Sequence, residues 1–133
     1  MVLDHLVLNV EDVGRAVDFY RNVLGLKIER LTEFERGHAP FPSARVNEET
    51  VIDLVPPEIW KTGDDESAVT DQNLGHFCLA LGERDWKALT ERLRENNVRI
   101  TRFADNNWGA KGVGVSIYFN DVDGNEIEAR YYK

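Results

Sequence analysis

A chain of 133 residues is the size of one domain with room for a proper core, and its aromatic content argues against disorder. The net charge of −8 disfavours nucleic acid and anionic membrane surfaces, which are held mainly by Lys and Arg. Cys78 is the single cysteine, which excludes an internal disulfide and a cysteine-rich zinc knuckle; no apolar run nears the ~18 residues of a spanning helix and the first residues are not a signal peptide, so a soluble cytoplasmic protein is expected.

Residues 2–10, apolar and rich in Val and Leu, predict a strand. Asp12 can cap a helix whose apolar positions Val13, Ala16, Val17, Tyr20, Val23 and Leu24 form one stripe of a 3.6-residue period. Gly25 stands where a left-handed C-terminal cap is wanted, and Leu26-Lys27-Ile28 resumes an extended run. Residues 28–35 and 41–47 are weaker strand candidates. Asn47-Glu48-Glu49 suits a tight turn before a return strand from Thr50 to Val55, which Pro56-Pro57 ends. Glu58 to Asn73 reads as a linker.

The second half replays the first. Residues 76–81 predict a strand, and a helix around 83–95 follows with Trp86, Leu89 and Leu93 on one face. Asn97 takes the place of Gly25, and Val98-Arg99-Ile100 matches Leu26-Lys27-Ile28. Asp105 to Gly112 reads as a glycine-bearing loop. Val113 to Asn120 is a strand, Asp121-Val122-Asp123-Gly124-Asn125 a tight turn, and Glu126 to Tyr132 the return strand. His5 recurs as His76, 71 positions later, and Gly25 as Asn97, 72 positions later. The order is βαβββ, linker, βαβββ: a module at 1–57, a linker at 58–73 and a module at 74–133, together one α+β domain.

Side chains alternate across a strand. His5, Val7 and Asn9 therefore share one face, and His76, Cys78 and Ala80 share its counterpart; both faces are smaller and more polar than the opposite ones, which suits a cavity wall. Aligning Ile52-Asp53-Leu54 on Ile127-Glu128-Ala129 makes Asp53 and Glu128 repeat partners, as the histidines are. Two imidazoles and two carboxylates suit one divalent ion, Mn, Fe, Co, Ni or Zn, with up to two positions open. Cys78 has no evident base partner and reads as packing. His38, in Arg36-Gly37-His38-Ala39-Pro40, reads as an exposed loop residue.

The layout resembles the vicinal oxygen chelate superfamily, which includes glyoxalase I, fosfomycin-resistance enzymes, extradiol dioxygenases and bleomycin-resistance proteins. The resemblance is carried by Asp4-His5-Leu6-Val7-Leu8, by the run from Ala16 to Leu26 (AVDFYRNVLGL) and by the run from Tyr118 to Glu128 (YFNDVDGNEIE). It implies paired βαβββ modules forming an open, curved mixed sheet around a metal. It carries ligation onto His5, His76 and Glu128. Glyoxalase-like members use a longer Glu where this chain has Asp53, and fosfomycin-resistance-like members make do with three protein ligands, so Asp53 departs from the strict glyoxalase pattern. The superfamily chemistry is chelation of a small substrate through vicinal oxygens.

Glu128 or Asp53 is the expected proton-shuttling carboxylate, with Glu128 and Glu126 the catalytic pair and Glu126, on the same face as Glu128, a supporting group or base. In the loop, Asn107, Trp108 and Lys111 are candidate substrate contacts, with Arg130 as a second cation for an anionic substrate. The leading expectation is a glyoxalase-like lyase or isomerase working as a homodimer on a small molecule. The alternatives are a dioxygenase, a fosfomycin-resistance-type enzyme, or a metal-free protein that sequesters a cationic drug, for which the acidic balance is suited.

Overall fold

The computed structural model describes residues 3–61, 74, 76–109 and 111–133, with Trp108 and Gly109 as backbone only. The expected linker residues 62–73, Gly75 and the Trp108 side chain lie outside the described residues. The chain divides into two compact units, Met1–Ala68 and Val69–Lys133.

In the first unit, β1 (His5–Asn9) leads into α1 (Val13–Asp18). Asp12 caps α1 through a hydrogen bond from the Arg15 amide to Oδ1 at 3.0 Å. A π-helical turn, Phe19–Val23, extends the helix. It adds a residue to the turn, and both Phe19 and Tyr20 are buried where a regular period buries only Tyr20. Gly25 adopts the left-handed cap at φ 74°. β2 (Lys27–Glu29), β3 (Ser43–Arg45) and β4 (Val51–Val55) complete a sheet of order β1-β4-β3-β2. The expected strand over 28–35 stops at Glu29. Arg30 sits at φ 59°, which breaks the extended chain, and α2 (Leu31–Glu35) closes behind it with the Phe34 amide on Arg30 O at 2.9 Å. The expected linker likewise begins with a helical turn, α3 (Pro57–Trp60), opened by Pro at its first position and pinned by Trp60 Nε1 to Val10 O at 3.2 Å.

The second unit repeats the order: β5 (Phe77–Ala80), α4 (Glu83–Glu95), β6 (Ile100–Gly109), β7 (Gly112–Asn120) and β8 (Glu126–Tyr132), in a sheet of order β5-β8-β7-β6. Leu89 and Leu93 of α4 are buried, Trp86 Nε1 donates to Ala129 O at 2.9 Å, and Asn97 takes the left-handed cap at φ 56°. The segment expected as a loop, 105–112, is mostly strand: β6 runs to Gly109 and pairs with β7 down to Gly109↔Gly112. A register shift between Ala104 and Asn107 absorbs the poorly strand-forming Asp105-Asn106. The β7–β8 connection is a five-residue loop held by Asp121, whose carboxylate accepts from the amides of Asp123 and Asn125 at 2.9 and 2.8 Å.

Each unit thus carries a four-stranded mixed sheet with one parallel and two antiparallel pairings. α1 packs on β4, and α4 packs on β8. The apolar sides of Ile52 and Leu54, and of Ile127 and Ala129, are buried. That leaves the opposite sides of β4 and β8 to carry the polar residues.

Candidate metal-ligand residues

Strand register makes the repeat explicit. In the first sheet Asp53 stands opposite Val7, two residues after His5. In the second, Glu128 stands opposite Cys78, two residues after His76. Each parallel strand pair therefore brings one histidine and one carboxylate to the same region of its own sheet.

In the second unit the geometry is tight. His76 Nε2 lies 3.2 Å from Glu128 Oε2, and His76 Nδ1 lies 3.9 Å from Glu126 Oε2. Tyr118 packs edge-on to the His76 ring at 5.6 Å between centroids. The Glu128 side chain is 5% exposed, whereas that of His76 is 40% exposed. Burial alone would push the Glu128 carboxyl up; hydrogen bonding from Ser116 and the charge and hydrogen bonds of Arg130 outweigh it and hold it below the usual value. Glu128 is thus a committed anion, although closed off from water.

In the first unit His5 Nδ1 is bonded to Asp4 Oδ2 at 2.8 Å. That bond, with a contribution from the Asp53 charge, raises the His5 imidazole above its usual value. His5 Nδ1 is thus hydrogen-bonded to a carboxylate, an arrangement that orients a histidine's other ring nitrogen, whereas His76 Nδ1 stands 3.9 Å from Glu126, beyond hydrogen-bond reach. Asp53 accepts from Ser43 Oγ at 2.6 Å.

The donor set suits a divalent ion. Two ligands at ~2.1 Å from one ion, at octahedral to tetrahedral angles, stand roughly 3.0–3.4 Å apart. The separation of His76 Nε2 and Glu128 Oε2 falls in that window. Among the described residues no group of three or more His, Cys, Asp or Glu side chains is gathered tightly enough to hold an ion.

The remaining candidates are placed as follows. Asn107 is half-buried on β6 and donates from Nδ2 to the Tyr118 hydroxyl at 2.7 Å. Lys111 is exposed, and its amide donates to the Tyr132 hydroxyl at 3.3 Å. Arg130, expected to face an anionic substrate, is 3% exposed and is salt-bridged to Glu128 at 2.9 Å. Cys78 is exposed as a residue, but desolvation around the thiol and then the Glu128 charge push it up to about 12, so it stays protonated at neutral pH. The residues that the sequence reading passed over are Asp4, Ser43, Ser116, Tyr118 and Tyr132. The last three belong to one polar face: across the antiparallel β7–β8 pair, Tyr118 is opposite Glu128, Ser116 opposite Arg130 and Gly114 opposite Tyr132.

Comparison with known proteins agrees with this architecture. The family model of the Glyoxalase/Bleomycin resistance protein/Dioxygenase superfamily matches residues 2–129. The chain belongs to that superfamily. It is 31% identical to a lactoylglutathione lyase of Escherichia coli O157:H7, over 96% of this chain and 90% of the relative. It is 24% identical to metallothiol transferase FosB of Staphylococcus haemolyticus, over 95% of this chain and 80% of the relative. Among solved structures, a glyoxalase/dioxygenase from Nostoc punctiforme superposes with a TM-score of 0.75 at 22% identity, over 99% of this chain and 91% of the other, and shares the fold. No helix among the described residues is long and apolar enough to cross a membrane.

Proposed function

We propose that this superfamily member is a divalent-metal-dependent enzyme of glyoxalase-like lyase or isomerase character that acts on a small molecule through two neighbouring oxygens. The observation that carries the reading is the 3.2 Å approach of His76 Nε2 to a carboxylate oxygen of a buried, ionised Glu128, both at positions that His5 and Asp53 repeat. His5, His76 and Glu128 would hold the ion (Mn, Fe, Co, Ni or Zn), with Asp53 as a fourth ligand. A divalent ion with open positions supplies Lewis acidity toward vicinal oxygens. Glu126, whose Oε2 lies 3.9 Å from His76 Nδ1, is proposed as the supporting group or base. Lys111, Asn107 and Trp108 are proposed to meet the substrate, Lys111 through charge. The lactoylglutathione lyase relative favours the lyase reading over dioxygenase or drug-sequestering alternatives.

The proposed working form is a cytoplasmic homodimer. Within its own sheet each outer strand, β1 and β2 or β5 and β6, is paired on one side, which leaves edges suited to pairing with a second chain. Light scattering on a sizing column reads the dimer directly.

The decisive experiment is metal analysis of protein purified without chelator, beside an assay of lactoylglutathione lyase activity before and after metal is added. Metal and activity lost together in His5→Ala and His76→Ala are the expected result. Tight binding of a cationic drug by a metal-free wild-type protein would instead support the sequestering alternative.

A further inference from the structure

Asp53 and Glu128 hold equivalent places in the two sheets and each accepts a serine hydroxyl at 2.6 Å, from Ser43 and Ser116, but the arginine clamp is on Glu128. Two residues beyond Asp53 the first sheet has Val55; two residues beyond Glu128 the second has Arg130. Nε and Nη2 of Arg130 both donate to Glu128 Oε1, at 3.1 and 2.9 Å, and Ser116 Oγ donates to the same oxygen at 2.6 Å. Three donors on one oxygen leave it little capacity to bind a cation. The other oxygen, Oε2, faces His76. The guanidinium is itself fixed: Nη1 donates to the Tyr132 hydroxyl at 3.3 Å and Nη2 to Asn107 O at 3.4 Å. Its neighbours across the sheet, Ala80 on β5 and Ser116 on β7, are small and leave it room.

We propose that Arg130 is a positioning residue: with Ser116 it ties up Oε1 of Glu128, so that the carboxylate offers a cation a single oxygen, Oε2, beside His76 Nε2. This rests on the metal reading above and deepens it. It also accounts for a buried arginine on the polar side of β8, where a cation free to meet substrate would have to be open to water. The planar guanidinium is what the role requires, since two N–H groups of one rigid side chain converge on Oε1, a fixed geometry that a single flexible ammonium does not reproduce.

Cobalt(II) is the probe, added to chelator-stripped protein, with visible absorption reporting the ligand set and a chromophoric chelator reporting affinity. Arg130→Lys keeps the charge and loses the planar guanidinium; Ser116→Ala keeps the ion pair and removes one donor. Both are expected to stay folded, to change the cobalt spectrum and to bind cobalt about 10–100-fold more weakly. Wild-type spectrum and affinity in both variants would overturn the proposal, even if thermal stability drops. Should Arg130→Lys fail to fold, the spectrum of Ser116→Ala decides. A wild-type protein that takes up no cobalt would remove the metal reading and this role with it, an outcome distinct from a wild type that binds and variants that do not differ.

Discussion

Glu128 and Arg130 are 5% and 4% exposed at the side chain, and neither would be tolerated there alone. Removing one member of a buried pair leaves an uncompensated charge, at a cost of about 3–5 kcal/mol, whereas replacing both with apolar groups of similar volume is often near neutral. Glu128→Ala should therefore shift the urea midpoint far more than the double variant Glu128→Leu with Arg130→Met, and a double variant at least as destabilised as the single would contradict the argument. Glu29, on the surface of the other sheet, gives a contrasting ion pair. Its hydrogen bonds from Arg45, at 2.8 and 3.3 Å, hold the Glu29 carboxyl below its usual value. A depressed carboxyl stabilises the fold fully above its unfolded pKa of about 4.3 and loses that contribution as pH falls through the lower folded value. The stability gap between wild type and Glu29→Gln should be constant from neutral pH down to the unfolded value and close below it, as urea melts at successive pH values will show. Alternation places Glu128 and Arg130 together on the polar side of β8, and that much is legible in the sequence. Whether Arg130 faces a substrate or its own neighbour depends on which residues β7 sets opposite, and that follows only from the register of the β7–β8 pair.

The elements that the sequence makes legible are those with a period and a punctuation mark. Helix 83–95 and the strand from Glu126 to Tyr132 appear with the expected bounds, and the left-handed residues Gly25 and Asn97 close the two helical segments. Misread elements lack such marks. Arg30 has no sequence signal for a positive φ, so the strand that it ends was expected to continue. Asp105-Asn106 reads as loop because neither residue favours a strand, yet cross-strand pairing on both sides of the register shift carries the chain through. Gly114 on β7 lies close against the backbone of β8. A Cβ built there would meet Tyr131 O at 2.8 Å, against backbone that cannot swing away. Gly114→Ala should thus destabilise by about 1–3 kcal/mol through overpacking, although alanine is the smallest side chain available. A thermal melt of that variant coinciding with wild type would mean that β8 gives way there at no cost.

At the scale of the molecule, two units of one topology each carry a histidine and a carboxylate, and the repeat itself yields a counting test. If each unit held its own ion, the chain would bind two, and loss of one histidine would leave the other ion in place. If both units serve a common ion, the chain binds one, and His5→Ala and His76→Ala each remove it. The function proposed above calls for one ion per chain, since a single imidazole with a single carboxylate is a poor chelate for a first-row metal. Binding should also stabilise the folded chain, by about 2.7 kcal/mol when free metal stands at a hundred times its dissociation constant. We therefore expect titration calorimetry to give one ion per chain for wild type and none for either histidine variant. The metal-dependent rise in melting temperature should vanish in both. A variant that kept a full-strength ion would show that the halves bind independently, and the shared-cation reading would fall at that point.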